Sequence, residues 1–582
     1  MIRYKCKSCD DLICETSVCP VCGQRTEISE TSIYWSKKFN TPSFDEYCLN
    51  ESEHCELIGS DIRPVYAEER LLLEILEGKP MAYAGKSVWN TGGNKYIIDG
   101  KRIIIPFNKY VKECNVDEII HKLIEYKEKN QPYVDGFMEQ DYIKNFIKIN
   151  EVRLNLITIE ACEYIREKAH GWGMDEMFVS FSGGKDSTVT SHITMRALGT
   201  KRILHIYGDT TLEYPTSSFY MKRFKNENKE TPVLVAKNKD QDFNNLCEVI
   251  GPPSRVMRWC CTIFKTGAIT KKIETTFRNK TRVLTFQGIR RNESKARNKY
   301  ERDSENSKIK KQLVISPIID WLDFDVWLYI LSNNLDVNYA YKQGFSRVGC
   351  WCCPNNSSWS GFLSNIYMHE EYVRFYNILY DFAKKVGKKD WKEYIDEGKW
   401  KARQGGNGLE ISENAVVTFA PCALEDNAYN FTLSKPIDDQ LYTLFKPFGN
   451  IDFNLGNRRL GEVFILDRAD SQPLLKISGR KGKYDLKVSV LKTTPIFKNK
   501  ITSENLIKAQ ITKFQTCIGC SACESVCRFD ALKVMNLEKG NVSNETISYT
   551  IDETKCVGCL ECVKHFDSGC YMKKVLRIKK GR

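Results

Sequence analysis

The chain of 582 residues is 42% hydrophobic and 28% charged, the composition of a globular protein. That length implies several domains, because single cores rarely exceed about 250–300 residues. No apolar run reaches the roughly 18–20 residues that span a bilayer, and no apolar stretch follows "MIRYKCKSCD", so a chain without a membrane partner is expected, located in the cytoplasm. A net charge of +13 permits a nucleic-acid partner without demanding one. The 24 cysteines are clustered, and in a reducing compartment such clusters read as metal ligands rather than disulfides.

The first cluster opens the chain. Cys6-x2-Cys9 and Cys19-x2-Cys22 make two knuckles, which together offer four thiolates to a tetrahedral ion. Residues 1–26 are therefore read as a structural zinc ribbon, with a redox pair as the alternative and Cys14 as a spare. Residues 27–139 contain "SVWNTGGNKYIIDGKRIIIPF", short strands separated by Gly and Asn-Gly-type turns. A small β-rich adaptor domain is expected there, in a packing role; it also resembles the PUA-type RNA-binding module.

The pattern changes at about residue 140. "YIKNFIKINEVRLNLITIEACEYIREKA" has apolar residues at helical spacing and predicts one long helix. "MFVSFS", "RILHIYGDT", "TPVLVAK" and "TRVLTFQGIR" are short apolar runs rich in β-branched residues, with helical stretches between them. Strands covered on both faces read this way, so residues 140–379 are expected to form an α/β domain on a parallel sheet. Ligands of such sheets bind beyond the carboxyl ends of the strands. Those ends carry residues 182–187, 209–211 and 290–297. Residues 380–510 read as a mixed or β-rich domain of no assigned role, and residues 511–582 hold two cysteine runs and a basic tail.

Ser182-Gly183-Gly184-Lys185-Asp186-Ser187 lies between a predicted strand and a predicted helix. Glycines let backbone N–H groups approach an anion, and the helix N-terminus adds its positive end. Lys185 adds charge, and Asp186 would position the loop or a magnesium ion. The spacing is not that of the GxxxxGK(S/T) loop. SGGKDS resembles the pyrophosphate-binding loop of the adenine nucleotide α-hydrolase-like superfamily, which includes N-type ATP pyrophosphatases and phosphoadenosine phosphosulfate (PAPS) reductases. "YGDTTLEYPTSSFY" is similar to the PAPS reductase segment DTG-x-x-F-P-E-T. Asp209, Thr210 and Pro215 match it, and Thr211 stands where that family has glycine. "RWCCTIFK" supplies Arg258, Cys260, Cys261 and Lys265. "GIRRNESKAR" is similar to G-x-R-x-x-E-S-x-x-R, with Arg290, Glu293, Ser294 and Arg297 in place. Arginines there would hold phosphate or sulfate oxygens in bidentate fashion. A nucleic-acid patch is the other reading, since residues 278–302 hold nine Lys/Arg against two acids. The resemblance to PAPS reductases covers roughly residues 140–360.

Cys260-Cys261 and "GCWCCP", with Cys350, Cys352 and Cys353, fall in the same stretch. Four thiolates from Cys260, Cys261, Cys350 and Cys353 suit a 4Fe–4S cluster, or a zinc ion. The set is similar to the CC…CxxC ligands of iron–sulfur adenylylsulfate (APS) reductases, which implies a cluster beside the substrate sulfate and leaves Cys352 as an extra thiol, reactive or buried. Near the end of the chain, Cys517-x2-Cys520-x2-Cys523-x3-Cys527 is the bacterial ferredoxin pattern, and Cys556-x2-Cys559-x2-Cys562 repeats it, with Cys570 as the fourth cysteine. The fourth ligand of each run normally crosses over. One 4Fe–4S cluster is thus expected on Cys517, Cys520, Cys523 and Cys570, and another on Cys556, Cys559, Cys562 and Cys527.

These readings imply an iron–sulfur enzyme of the PAPS reductase family. It would reduce an adenylyl sulfate, APS or PAPS, to sulfite with electrons relayed by its ferredoxin domain. Ser182, Gly183, Gly184, Lys185, Asp186, Ser187, Asp209 and Thr210 would bind the nucleotide. Lys265, Arg290, Glu293, Arg297 and Cys352 would serve the chemistry. Expected cofactors are three 4Fe–4S clusters, one zinc and an adenine nucleotide, with magnesium as an option. The expected partners are an external electron donor and the substrate, with oligomerisation left open. The alternative is an ATP-dependent sulfur transferase that thiolates or phosphorothioates a nucleic acid. The Glu-Cys-Gly-(Leu/Ile)-His motif of thioredoxin-dependent reductases does not occur in the sequence.

Overall fold

The computed structural model describes residues 4–9, 12–14, 19–24, 27–28, 33–44, 56–59, 61–129, 136–239, 241–294, 297–305, 311–403, 417–536, 547–564 and 578–580. They fall into two units: 1–208, 212–235 and 277–372 form the first, and 209–211, 236–276 and 373–582 the second. None of the described helices is long and apolar enough to cross a membrane.

The first unit is built on the predicted sheet. Met177–Phe181, Leu204–Asp209, Val233–Lys237 and Val283–Gln287 are its strands, and Gln312–Ile315 and Asp303–Ser304 extend it. Met177–Phe181 lies in the middle of the sheet, parallel to Leu204–Asp209 on one side and to Val283–Gln287 on the other, and Gln312–Ile315 continues in parallel beyond the latter. The edge strand Asp303–Ser304 runs antiparallel to Gln312–Ile315. The result is an α/β fold with a parallel core. Val179, Leu284, Phe286 and Ile315 are fully buried, which is why these strands read as continuous apolar runs instead of alternating ones.

The predicted long helix is two helices, Asp141–Ile149 and Glu151–Ala169. Asn150 separates them. Its buried amide donates to the Phe146 and Pro42 carbonyls, and its oxygen accepts from Phe44 N. A side chain that bonds backbone in this way competes with the helical ladder. Within Glu151–Ala169, Arg153 forms a buried bidentate pair with Asp325, Nη2 to Oδ2 at 2.7 Å.

The region expected to be a β-rich adaptor contains the expected strands, Val88–Asn90, Lys95–Ile98 and Lys101–Ile104, as an antiparallel meander. Among the described residues it also contains the helices Ala67–Glu77, Phe107–Glu113 and Val116–Lys129, so it is mixed. Trp35, Tyr66 and Trp89 share one apolar core with Phe146, Val179 and Trp327, so no separate core stops at residue 139.

The second unit centres on a seven-stranded sheet. The antiparallel strands Glu462–Leu466, Pro473–Ser478 and Asp485–Val490 are those legible in the sequence. Ile578–Lys580, from the basic tail, adds an edge strand in parallel with Val417–Pro421. The helix Lys500–Thr516 packs on this sheet and runs straight into Cys517, through the expected boundary at 510. Ile465, Ile477 and Val488 of the sheet share a core with Phe514, Tyr549 and Val563. The sheet and the cysteine-rich end thus form one body.

Candidate anion-loop site and cysteine centres

Residues 182–187 form the turn between Met177–Phe181 and the helix Lys185–Leu198. Gly183 has φ +73°, a left-handed conformation that costs glycine little. Hydroxyls hold the turn together. Ser187 Oγ donates to Gly184 O at 2.8 Å and accepts from Ser182 N at 3.2 Å, and Thr188 Oγ1 also reaches Gly184 O. Tyr341 OH accepts from Lys185 N at 2.9 Å. The first amides of any helix lack intrahelical acceptors, so this end favours anions.

Behind the turn lies a quartet of buried charges. Lys185 Nζ is 3.0 Å from Asp186 and 3.1 Å from Asp323. Arg290 bonds Asp186 through Nε, Asp323 through Nη2 and the Trp321 carbonyl through Nη1. Two cations and two carboxylates balance, which is the condition for burying them. Burial works to raise the carboxyl groups, but the charges of Arg290 and Lys185 hold Asp186, and likewise Asp323, below the usual range. Desolvation and then the Asp323 charge push Asp61 up at the rim.

Gly288 closes the arrangement. A Cβ there would lie 2.6 Å from Asp186 C and O and 2.9 Å from Ser187 N. The backbone after Val283–Gln287 therefore presses on the first turn of the loop's helix. Further along, Glu293 is ion-paired with Arg297 and lies 3.6 Å from Arg347.

Cys350 and Cys353 bracket a tight turn, with Cys353 N donating to Cys350 O at 3.2 Å and Asn356 Nδ2 to Cys350 O and Trp351 O. The turn bridges Glu213, and Cys352 is buried at 6% exposure. Burial, then the nearby Cys353 and Cys350, pushes the Tyr214 phenol up.

In the second unit, Thr211 has φ +64° at the position where PAPS reductases carry glycine, and Asp209 Oδ1 accepts its amide at 2.8 Å. A β-branched residue in that region is strained. Lys237 pairs with Asp209 at 3.1 Å. Cys260 precedes a wide π-helical turn, Cys261–Thr266, in which Lys265 is exposed. Such turns often mark functional sites. A Cβ on the next residue, Gly267, would lie 2.5 Å from Ser525 Cβ. Gln241 Nε2 donates to Gly519 O at 2.9 Å. The segment carrying Cys260 and Cys261 therefore packs on the loop that carries Cys517, Cys520 and Cys523.

The two C-terminal cysteine loops share one backbone. Gly519 and Gly558 both have φ +67°, and Ser521 and Leu560 have φ +53° and +60°. Cys527, Cys556, Cys559 and Cys562 line one small cavity, so Cys527 joins the second run. Burial pushes the Cys523 thiol up to about 11 and the Cys562 thiol up to about 12. Backbone amides already point at sulfurs: Gly519 N at Cys517 Sγ and Ala531 N at Cys527 Sγ, both 3.3 Å. Cys570 lies outside the described residues.

At the other end of the chain, Cys6, Cys9, Cys19 and Cys22 bring their sulfurs within 4.8 Å of one another. Cys6 and Cys22 are 3.5 Å apart and Cys9 and Cys19 3.9 Å. Four sulfurs at ~2.3 Å around a tetrahedral ion would be about 3.8 Å apart, so zinc fits. The backbone amides of Cys22 and Val21 lower the Cys19 thiol to about 6.

Residues 176–356 match the phosphoadenosine phosphosulfate reductase domain. The chain carries a PAPS reductase domain. Residues 516–565 match the 4Fe-4S dicluster domain. An uncharacterized protein of Methanocaldococcus jannaschii is 36% identical over 178 residues, 31% of this chain and 36% of that protein. An adenosine 5'-phosphosulfate reductase of Neisseria meningitidis is 53% identical over 38 residues, 6% of this chain and 16% of that protein. The chain thus spans about a third or less of these curated relatives. The solved PAPS reductase of Candida auris is 14% identical, over 37% of this chain and 96% of that one, with a TM-score of 0.27. In this PAPS reductase domain the sequence motifs pointed to Lys185, Asp186 and Arg290. Asp323, Tyr341 and Asp61 carried no motif, although each now adjoins the loop; Gly288 is the leading glycine of the G-x-R-x-x-E-S-x-x-R segment.

Proposed function

We propose that the chain reduces an adenylyl sulfate, APS or PAPS, to sulfite and the corresponding nucleotide. The observation that carries this reading is the seating of the Cys260–Cys261 segment on the ferredoxin loop through Gly267 against Ser525 and Gln241 against Gly519. A PAPS reductase domain whose own cysteine segment rests on a dicluster domain is arranged to receive electrons from it. Iron–sulfur clusters bound by the three cysteine sets would supply single electrons.

The chain's own residues do the rest. Residues 182–187 and the first helical turn would hold the nucleotide phosphate. Arg290 and Lys185 act as positioning residues, since Asp186 and Asp323 already engage them. Arg297, closer to solvent, is the cation assigned to the sulfate. Two electrons break the S–O bond: the bridging oxygen leaves with the phosphate as AMP or PAP, and sulfur falls from +6 to +4 as sulfite.

The test is sulfite release by anaerobically purified protein given APS or PAPS and a low-potential reductant. Stoichiometric sulfite and AMP or PAP are expected. No sulfite, but pyrophosphate released from ATP, would replace this reading with ATP-dependent sulfur transfer.

A further inference from the structure

The two ferredoxin loops share a backbone but not their surroundings. A Cβ on Gly519 would meet Ile547 Cδ1 at 2.7 Å, an apolar neighbour. On the matching Gly558 it would meet Arg468 Nη1 at 3.2 Å. Arg468 lies in the turn after Glu462–Leu466, in the sheet to which the sequence assigned no role. Its Nη1 donates to Cys556 O, and its Nη2 lies 2.8 Å from Lys446 O and 3.5 Å from Cys556 Sγ. Its Nε is buried with no hydrogen-bond partner among the described residues. A buried donor left unpaired is costly, and here it sits beside a thiolate ligand of a shown dicluster domain. A sulfide of the bound group would satisfy it.

We propose that Arg468 makes the two clusters unequal. A cation and N–H donors at a ligand sulfur favour the more negative, reduced cluster and raise its potential. The site formed by Cys527, Cys556, Cys559 and Cys562 therefore has the higher potential and is reduced first by an external one-electron donor. The site of Cys517, Cys520 and Cys523, walled by Ile547, has the lower potential and adjoins the Cys260–Cys261 segment. The seven-stranded sheet is thus a tuning domain.

The test is a potentiometric titration of the full anaerobic chain, followed by electron paramagnetic resonance, with Cys520→Ser identifying the first loop's step. Wild type should show two separated ferredoxin steps. Arg468→Gln should shift only the higher step downward and narrow the gap, with iron content unchanged. Coincident wild-type steps overturn the proposal, as does an Arg468→Gln variant that shifts neither step or both equally. Should Arg468→Gln lose iron, Arg468→Lys decides, because it keeps the charge and loses the fork: a downward shift of the higher step alone supports the proposal, and an unchanged titration overturns it. No adenylyl sulfate enters the measurement, so the result stands whatever the sulfite assay shows.

Discussion

Replacing Gly288 by alanine tests whether the loop's geometry matters as much as its charges. The new Cβ would lie 2.6 Å from Asp186 C and O and 2.9 Å from Ser187 N. Carbon contacts are comfortable at about 3.5–4.0 Å, so the overlap is roughly 1 Å. The atoms struck are backbone and cannot rotate away. Overpacking of this kind costs about 1–3 kcal/mol, and the upper half of that range is expected here. Relief requires moving Asp186, which draws on its pairs with Lys185 and Arg290. If the strain falls on the bound state, nucleotide affinity drops roughly 30- to 140-fold, at 1.4 kcal/mol per decade. Calorimetric titration with AMP and APS would read this directly, beside iron analysis. Gly361→Ala is the control, since it sits within the helix Ser358–Tyr367 with nothing inside 4 Å of the new Cβ. It should stabilise by about 0.5–1 kcal/mol and leave binding alone. Gly288→Ala binding within twofold of wild type, with unchanged unfolding, would refute the idea that this contact sets the loop.

Asp323→Asn leaves the quartet with one uncompensated positive charge and should destabilise the first unit by about 3–5 kcal/mol; AMP should then raise the unfolding temperature more in the variant than in wild type. His205 is fully buried, Nδ1 donating to Ile203 O and Nε2 accepting from Ser191, and burial lowers its pKa to about 4. Its folded value lies below the unfolded ~6.5, so the stability it contributes is present above pH 6.5 and falls by about 3 kcal/mol toward pH 4; urea midpoints across that range should slope less in His205→Phe. Anaerobic metal analysis should give about twelve irons and one zinc per chain, from three 4Fe–4S clusters and one four-cysteine site. Cys520→Ser should lower iron and abolish reductant-driven turnover while leaving nucleotide binding intact.

The elements legible in the sequence were those with a local cause. Met177–Phe181 and its neighbours announce themselves as apolar runs because both faces are covered, and the ferredoxin loops by cysteine spacing alone. Thr211 was marked as a departure from glycine, and it does carry a left-handed backbone. The break at Asn150 was not legible, because its cause is a carbonyl more than a hundred residues away, at Pro42. Asp323 and Tyr341 were missed for the same reason: only the fold carries them to the loop. Arg290 was found by motif, but its motif could not say that carboxylates already hold it. The boundary at 510 was misplaced because the helix Lys500–Thr516 serves the sheet with its body and the cysteines with its end.

The order in which the second unit comes together has a consequence for synthesis on the ribosome. Residues 236–276 belong to it, yet they are made long before residues 373–582. Arg403 donates to the Pro252 carbonyl from 151 residues downstream, and Phe243 packs on Phe375. At ~5–20 residues per second the early segment waits roughly 8–30 s for those partners. During that interval Trp259, Phe243 and Phe264, all buried in the finished chain, lack their final cover. The nascent protein is thus exposed to misassembly at the segment that bears Cys260 and Cys261, and a chaperone or faster elongation downstream of residue 276 would raise the yield of active protein without altering a single contact in it.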